Sequence, residues 1–271
     1  MTRPNVYARF ANGVSPFWRP TTGGFAFLRT GASGLLLGNG RASKQAYTNA
    51  QIDDYRGLPR SHFPWRPPLR LSLRARFSHE SGRLNGTAGF GFWNDPLRTT
   101  GLRRAALPQA LWFFYAGPDA AMPLALTQPA WGWKASVIDT RASRFLLQAP
   151  LFALAAPLTR IPRFYRSLWP SVQRAAGIAE RTVPAAMTDW HVYTIDWQPE
   201  LVRFYLDGAL LSEASHAPAG PLGLVIWLDN QFLQFTPWGR FRWGLVEKRE
   251  VQWLEIDWLA TETAEASTRT A

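Results

Sequence analysis

The 271-residue chain contains no cysteine, which excludes disulfides and thiolate metal sites. It also lacks any run of about 18 apolar residues that could cross a bilayer as a helix, and its start, "MTRPNVYARFANGVSPFW", lacks the apolar core of a secretory signal. A cytoplasmic or peripheral location is therefore the expectation. Lysine is scarce, confined to Lys44, Lys134 and Lys248, so the formal net charge of +11 is carried almost wholly by arginine. Such a surface suits an anionic membrane or a nucleic acid, of which the nucleic acid is the less favoured. The four histidines, His62, His79, His191 and His216, show no ligand spacing, so no zinc site is expected. No phosphate-cradling loop is present, because "GNGRASK" lacks both the pattern and the strand before it.

Aromatic and apolar residues are plentiful. An apolar fraction of 46%, with 14 Trp and 17 Phe, can fill a core and still leave rings for a binding surface. In "LRLSLRARF" (69–77), apolar residues alternate with arginine and serine, the period of a strand with one buried face. "GTAGFGFWNDP" (86–96) reads as a glycine-rich strand, where missing side chains signal a bulge or a close approach. "ALWFFYAG" (110–117) reads as a short buried strand ended by Gly117 and Pro118.

"WHVYTIDWQPELVRFYLDG" (190–208) reads as two strands meeting at Gln198-Pro199-Glu200, with a turn at Asp207-Gly208. "PLGLVIWLDNQF" (221–232) and "VQWLEIDWLAT" (251–261) complete the series as single strands. Many short strands with turns between them predict an all-β, two-sheet sandwich. Residues 141–181 break the rhythm: rich in Ala and Leu, they favour helix, and prolines 150, 157, 162 and 170 are expected to divide them into short pieces. With seven Arg against one Glu, this insertion holds more than half the net charge. The expected organisation is one domain over 1–260 carrying the insertion, then a frayed tail at 261–271.

The 190–208 segment resembles the H-x-Y-x-x-x-W-x-P-x-x-I-x-[FW]-Y-x-D-G stretch of family 16 glycoside hydrolases, the laminarinase and lichenase group. His191, Tyr193, Trp197, Pro199, Phe204, Tyr205, Asp207 and Gly208 carry the match. The resemblance implies a concanavalin A-like jelly roll. It also implies a catalytic strand, E-[IL]-D-[IFV]-x-E, whose alternate carboxylates share one face and serve as nucleophile, tuning acid and acid/base. Here the matching strand is "ALWFFYAG", with Ala110, Trp112 and Phe114 in those places, so hydrolysis of the family type is not expected.

By strand parity, and by analogy with these relatives, Trp93, Trp112, Phe114 and Trp227 face the cleft together with Asp229, and Asn94, Asn230 and Gln231 stand beside them. An aromatic groove suits a sugar-bearing or lipid-like small molecule. Asp229, expected among apolar rings, is the candidate proton-transfer residue, for an isomerisation, cyclisation or lyase step on an apolar substrate. No cofactor is expected, apart from a structural calcium for which the resemblance offers Asp257. The insertion is read as a lid over the cleft, a membrane-docking element or packing on the sandwich edge.

Overall fold

β6 (Leu69–Phe77) shows how the sequence pattern becomes the fold. Leu69, Leu71, Leu73, Ala75 and Phe77 are all at most 1% exposed, while Arg70, Arg74 and Arg76 point outward. Each large apolar side chain so removed from water contributes about 1.5–3 kcal/mol, which selects the register, since a one-residue slip would expose the whole row.

The computed structural model describes residues 5–96, 104–119, 124–235 and 241–263. The strands before β6 are β1 (Val6–Ala8), β2 (Arg19–Gly23), β3 (Ala26–Gly31), β4 (Gly34–Asn39) and β5 (Asn49–Asp53). After it come β7 (Thr87–Trp93), β8 (Gln109–Ala116), β9 (Gly132–Asp139) and, beyond the insertion, β10 (Ala179–Thr182). β11 (His191–Trp197), β12 (Val202–Leu206), β13 (Ala209–Ala214) and β14 (Gly223–Asp229) follow, then β15 (Gln231–Phe235), β16 (Phe241–Leu245) and β17 (Gln252–Thr263).

One antiparallel sheet runs β13-β12-β11-β6-β17-β4-β3, with β1 also paired to β17; the other runs β10-β9-β8-β7-β14-β5-β2. Their inner faces interdigitate in a single cluster that includes Leu71, Phe90, Phe113, Trp133, Tyr193 and Trp197. This is the two-sheet jelly roll expected.

The 190–208 segment holds this core together. Tyr193, Trp197 and Phe204 are buried in it, and the Trp197 indole donates to the Pro218 carbonyl (2.9 Å). At the outer end His191 Nδ1 meets Asp207 Oδ2 (2.6 Å), and Asp207 Oδ1 accepts the Val192 N–H (2.8 Å). The turn places Asp207 and Gly208 at positive φ (50° and 83°), which favours these two residue types.

Three boundaries differ from expectation. The insertion forms two helices, α1 (Ser143–Ala155) and α2 (Pro162–Ala175), with Pro150 and Pro170 inside them; only Pro157 and Pro162 fall at the junction. "PLGLVIWLDNQF" is two strands, because the chain leaves the sheet at Asn230 to form a separate β15–β16 hairpin. β17 continues to Thr263, paired with Leu69 of β6, so residues 261–263 are strand, and the remaining tail lies outside the described residues.

Candidate functional site

The outer face of the second sheet is built from alternate residues of neighbouring strands. β7 gives Thr87, Gly89, Gly91 and Trp93, paired with Ala116, Phe114, Trp112 and Ala110 of β8 and with Asp229, Trp227, Val225 and Gly223 of β14. The two central glycines make room for rings. A Cβ on Gly89 would stand 2.8 Å from the Trp227 ring, and one on Gly91, whose φ is +148°, would stand 2.6 Å from Trp112 Cβ. The missing side chains of the glycine-rich strand are replaced by tryptophans from its neighbours.

Those rings form one aromatic surface. Trp112 stacks on Phe114 (centroids 5.2 Å, planes 25° apart) and lies 5.4 Å from Trp227 and 5.9 Å from Trp93. Above them is a cavity of about 160 Å³, walled on one side by Phe232, Leu233 and Trp243 of the hairpin and also lined by Tyr47, Gln51 and Gln231. The far half of the same face is closed. Lys134 Nζ and Glu180 Oε2 sit 3.5 Å apart with side chains only 3% exposed, and Glu180 also accepts the Ala125 N–H (2.9 Å). Trp169 of α2 donates to the Leu124 carbonyl (2.8 Å), tying the insertion to the loop that covers this half. The site is a pocket with one end shut.

Asp229 is the one carboxylate in the described cavity lining. Its two oxygens differ. Oδ1 accepts three hydrogen bonds, from Thr87 Oγ1 (2.8 Å), the Gln231 N–H (3.1 Å) and the Thr87 N–H (3.3 Å). Thr87 Oγ1 in turn accepts the Trp227 indole N–H (3.0 Å), which fixes the direction of its own proton. Oδ2 takes no hydrogen bond among the described residues, so a proton shared with a ligand would reside there. Burial pushes the Asp229 carboxyl up to about 6, against the pull of the Thr87 and Gln231 donors and the Lys248 charge.

Lys248 is 1% exposed, and its ammonium donates to the Asp229 carbonyl (2.9 Å). Burial lowers Lys248 to about 8, opposed by the Asp229 charge. Replacing Lys248 by Met removes a positive charge that lowers Asp229, so the carboxyl should titrate higher than about 6. Carboxyl carbon NMR across the titration would measure this, and an unmoved midpoint would show that the ammonium does not reach the site.

Trp93, Trp112, Phe114, Trp227, Asp229 and Gln231 thus surround one cavity, while two neighbours serve the backbone instead. Asn94 donates to the Leu107 carbonyl (2.8 Å) and accepts the Gln109 N–H (3.0 Å). Asn230 is fully buried, accepting the Thr48 N–H (2.8 Å) and donating to the carbonyls of Ala46 (2.9 Å) and Val246 (3.2 Å). Asp257 lies on the other sheet, at the bulge of β17, with Oδ2 on Arg74 (2.7 Å). Among the described residues no three His, Cys, Asp or Glu side chains gather into a group that could hold a metal ion, and the Asp257 carboxylate is engaged by Arg74.

Sequence reasoning missed Tyr47, Thr87, Leu233, Trp243 and Lys248. Only Lys248 carried a signal: a lysine is rare in this arginine-rich chain, and a compact cation that can lose its proton is tolerated in a buried place where guanidinium is not.

A family model described as "Glycosyl hydrolases family 16" matches residues 171–224, a span containing the paired β11 and β12 strands. Among solved structures, the endo-beta-1,3-glucanase from Pyrococcus furiosus is 12% identical with a TM-score of 0.52, over 94% of this chain and 92% of that one. A prokaryotic beta-1,3-1,4-glucanase (lichenase) derived from a mouse hindgut metagenome is 13% identical at 0.51, over 97% and 99%. The GlcNAcα1-4Gal releasing endo-β-galactosidase from Clostridium perfringens is 13% identical at 0.54, over 96% of this chain and 62% of that one. No curated protein sequence matches. The fold is therefore a concanavalin A-like jelly roll, shared with these glucanases. Over residues 171–224 the chain is also similar to family 16.

Proposed function

We propose that this chain is a non-hydrolytic binding protein on a family 16-like scaffold, which holds a sugar-bearing or hydrophobic small molecule in its tryptophan-lined cavity. The outer face of β8 carries the reading: where the family resemblance implies three carboxylates stand Ala110, Trp112 and Phe114. A retaining glycosidase needs two carboxyls about 5–5.5 Å apart, and the described cavity lining offers Asp229 alone. Aromatic faces hold the C–H side of a sugar ring or a flat apolar skeleton equally well. The closed half of the face favours a compact ligand, or the end of a chain, over a polymer running along the sheet.

Native mass spectrometry of the purified protein, followed by titration of the recovered ligand against tryptophan fluorescence, tests this. Trp112→Ala should weaken binding by about tenfold or more, in the range of a lost stacked aromatic. Turnover of a β-glucan, abolished by changing a single carboxylate, would overturn it.

Asp229 supports a second reading, an enzyme that moves a proton on an apolar substrate. One saturated and one unshared oxygen, with a carboxyl raised to about 6, is what a general acid or base near neutrality requires. On this reading Asp229→Asn keeps ligand affinity and removes turnover. A recovered ligand that the wild type returns chemically unchanged would leave the binding reading alone.

A further inference from the structure

We propose that α1 docks on the surface of an anionic lipid bilayer. Leu147, Leu151, Leu154 and Leu158 recur at i, i+4, i+7 and i+11, so they form one stripe along the helix and the turn after it. That stripe faces outward: its residues are 80%, 66%, 79% and 44% exposed, and α1 has no buried residue. An ordinary surface helix turns its leucines inward and its charges to water, the reverse of this arrangement. Exposed apolar surface gathered in one place marks an interaction site.

Charge selects the partner. Arg141, Arg144, Arg160, Arg163, Arg166, Arg174 and Arg181 are all exposed on the same insertion. The one acid between 141 and 181 is Glu180, held against Lys134 at 3.5 Å. Pairing two copies through this face would bring two arginine sets together, whereas lipid phosphates neutralise them while acyl chains accept the leucines. At 13 residues α1 is too short to span, and no described helix is long and apolar enough to cross a membrane, so the helix lies in the plane of the interface.

The base of the insertion is held firmly. His216 Nε2 meets Asp139 Oδ2 at 2.7 Å where β9 ends, and Arg144 Nε donates to the Ala175 carbonyl at 3.1 Å across the two helices. No residue of 141–181 lines the cavity, so the docking face and the ligand site stand independently of each other.

Flotation with phosphatidylcholine vesicles, with and without phosphatidylglycerol, tests the proposal. Wild type should float with the anionic vesicles and lose binding as salt rises, and Leu147→Gln/Leu151→Gln/Leu154→Gln should bind at least about tenfold more weakly. Since the chain has no cysteine, Leu151→Cys with an environment-sensitive dye gives a second readout that leaves the fold untouched, a blue shift on anionic vesicles alone. Equal flotation of triple variant and wild type would overturn the proposal, as would no blue shift, or a wild-type dimer that the triple variant abolishes without any vesicle binding.

Discussion

Relative to wild type, Asp229→Asn should gain about 2–3 kcal/mol of stability between pH 4 and pH 7.5. Asn keeps Oδ1, so the three bonds from Thr87 and the Gln231 N–H survive, and its amide nitrogen takes the place of the Oδ2 that meets no described donor. What disappears is a negative charge that burial disfavours. A carboxyl moved from the ordinary 3.8 to about 6 has its ionised form penalised in the folded state, by about 3 kcal/mol at 1.36 kcal/mol per tenfold change in proton affinity.

The sign follows from proton counting. Between pH 3.8 and about 6 the folded protein binds more protons at Asp229 than the unfolded chain, so this contribution to wild-type stability falls as pH rises and stays low above it. Measured from its value below pH 4, the stability of Asn relative to wild type should grow through that window and level off above about 6.5. Chemical denaturation of both proteins across this range measures it. A stability difference that does not change between pH 4 and 7.5 would mean that burial does not disfavour the ionised carboxylate.

Legibility in the sequence followed the physics of each element. β6 was readable because strict alternation has one cause, a strand with a wet face and a dry one. β8 lacks that alternation and was readable only as a short apolar run ended by Gly117 and Pro118, its faces assigned by parity with the relatives: Leu111, Phe113 and Tyr115 are fully buried in the core while Trp112 and Phe114 reach the cavity. The β14–β15 break was only weakly signalled, by the turn-favouring pair Asp229-Asn230, because no glycine or proline interrupts Trp227 to Phe232. The break is made by a distant partner: Gly86, at φ +86°, admits Asn230 so closely that a Cβ would stand 2.8 Å from Asn230 Cα. Pro150 and Pro170 misled for another reason. A proline forfeits one helical hydrogen bond, and Pro150 sits in an α1 with no buried residue, where water can satisfy the freed carbonyl. The cavity floor was therefore largely visible in the sequence and its wall was not, because the wall depends on contacts between residues far apart in the chain.

Asn230 is one anchor of that wall, beside the Ala42–Lys248 bridge, and gives the second large expectation: Asn230→Ala should cost roughly 3–5 kcal/mol. The truncation leaves the Thr48 N–H and the carbonyls of Ala46 and Val246 without that partner at a fully buried position, and each unmet group costs about 1–3 kcal/mol. For a chain of this length the melting temperature should drop by roughly 10 °C. The loss should also reach the ligand site, because the Asn230 amide donates to the Val246 carbonyl (3.2 Å) beside the returning end of the hairpin that supplies Phe232, Leu233 and Trp243. Trp243→Ala separates the two effects. Trp243 is 63% exposed, so its removal should weaken ligand binding while leaving the melting temperature within about 2 °C of wild type. Calorimetry and ligand titration on both variants decide the matter: an Asn230→Ala protein within 1 kcal/mol of wild type would show that the hairpin is held by something other than this asparagine.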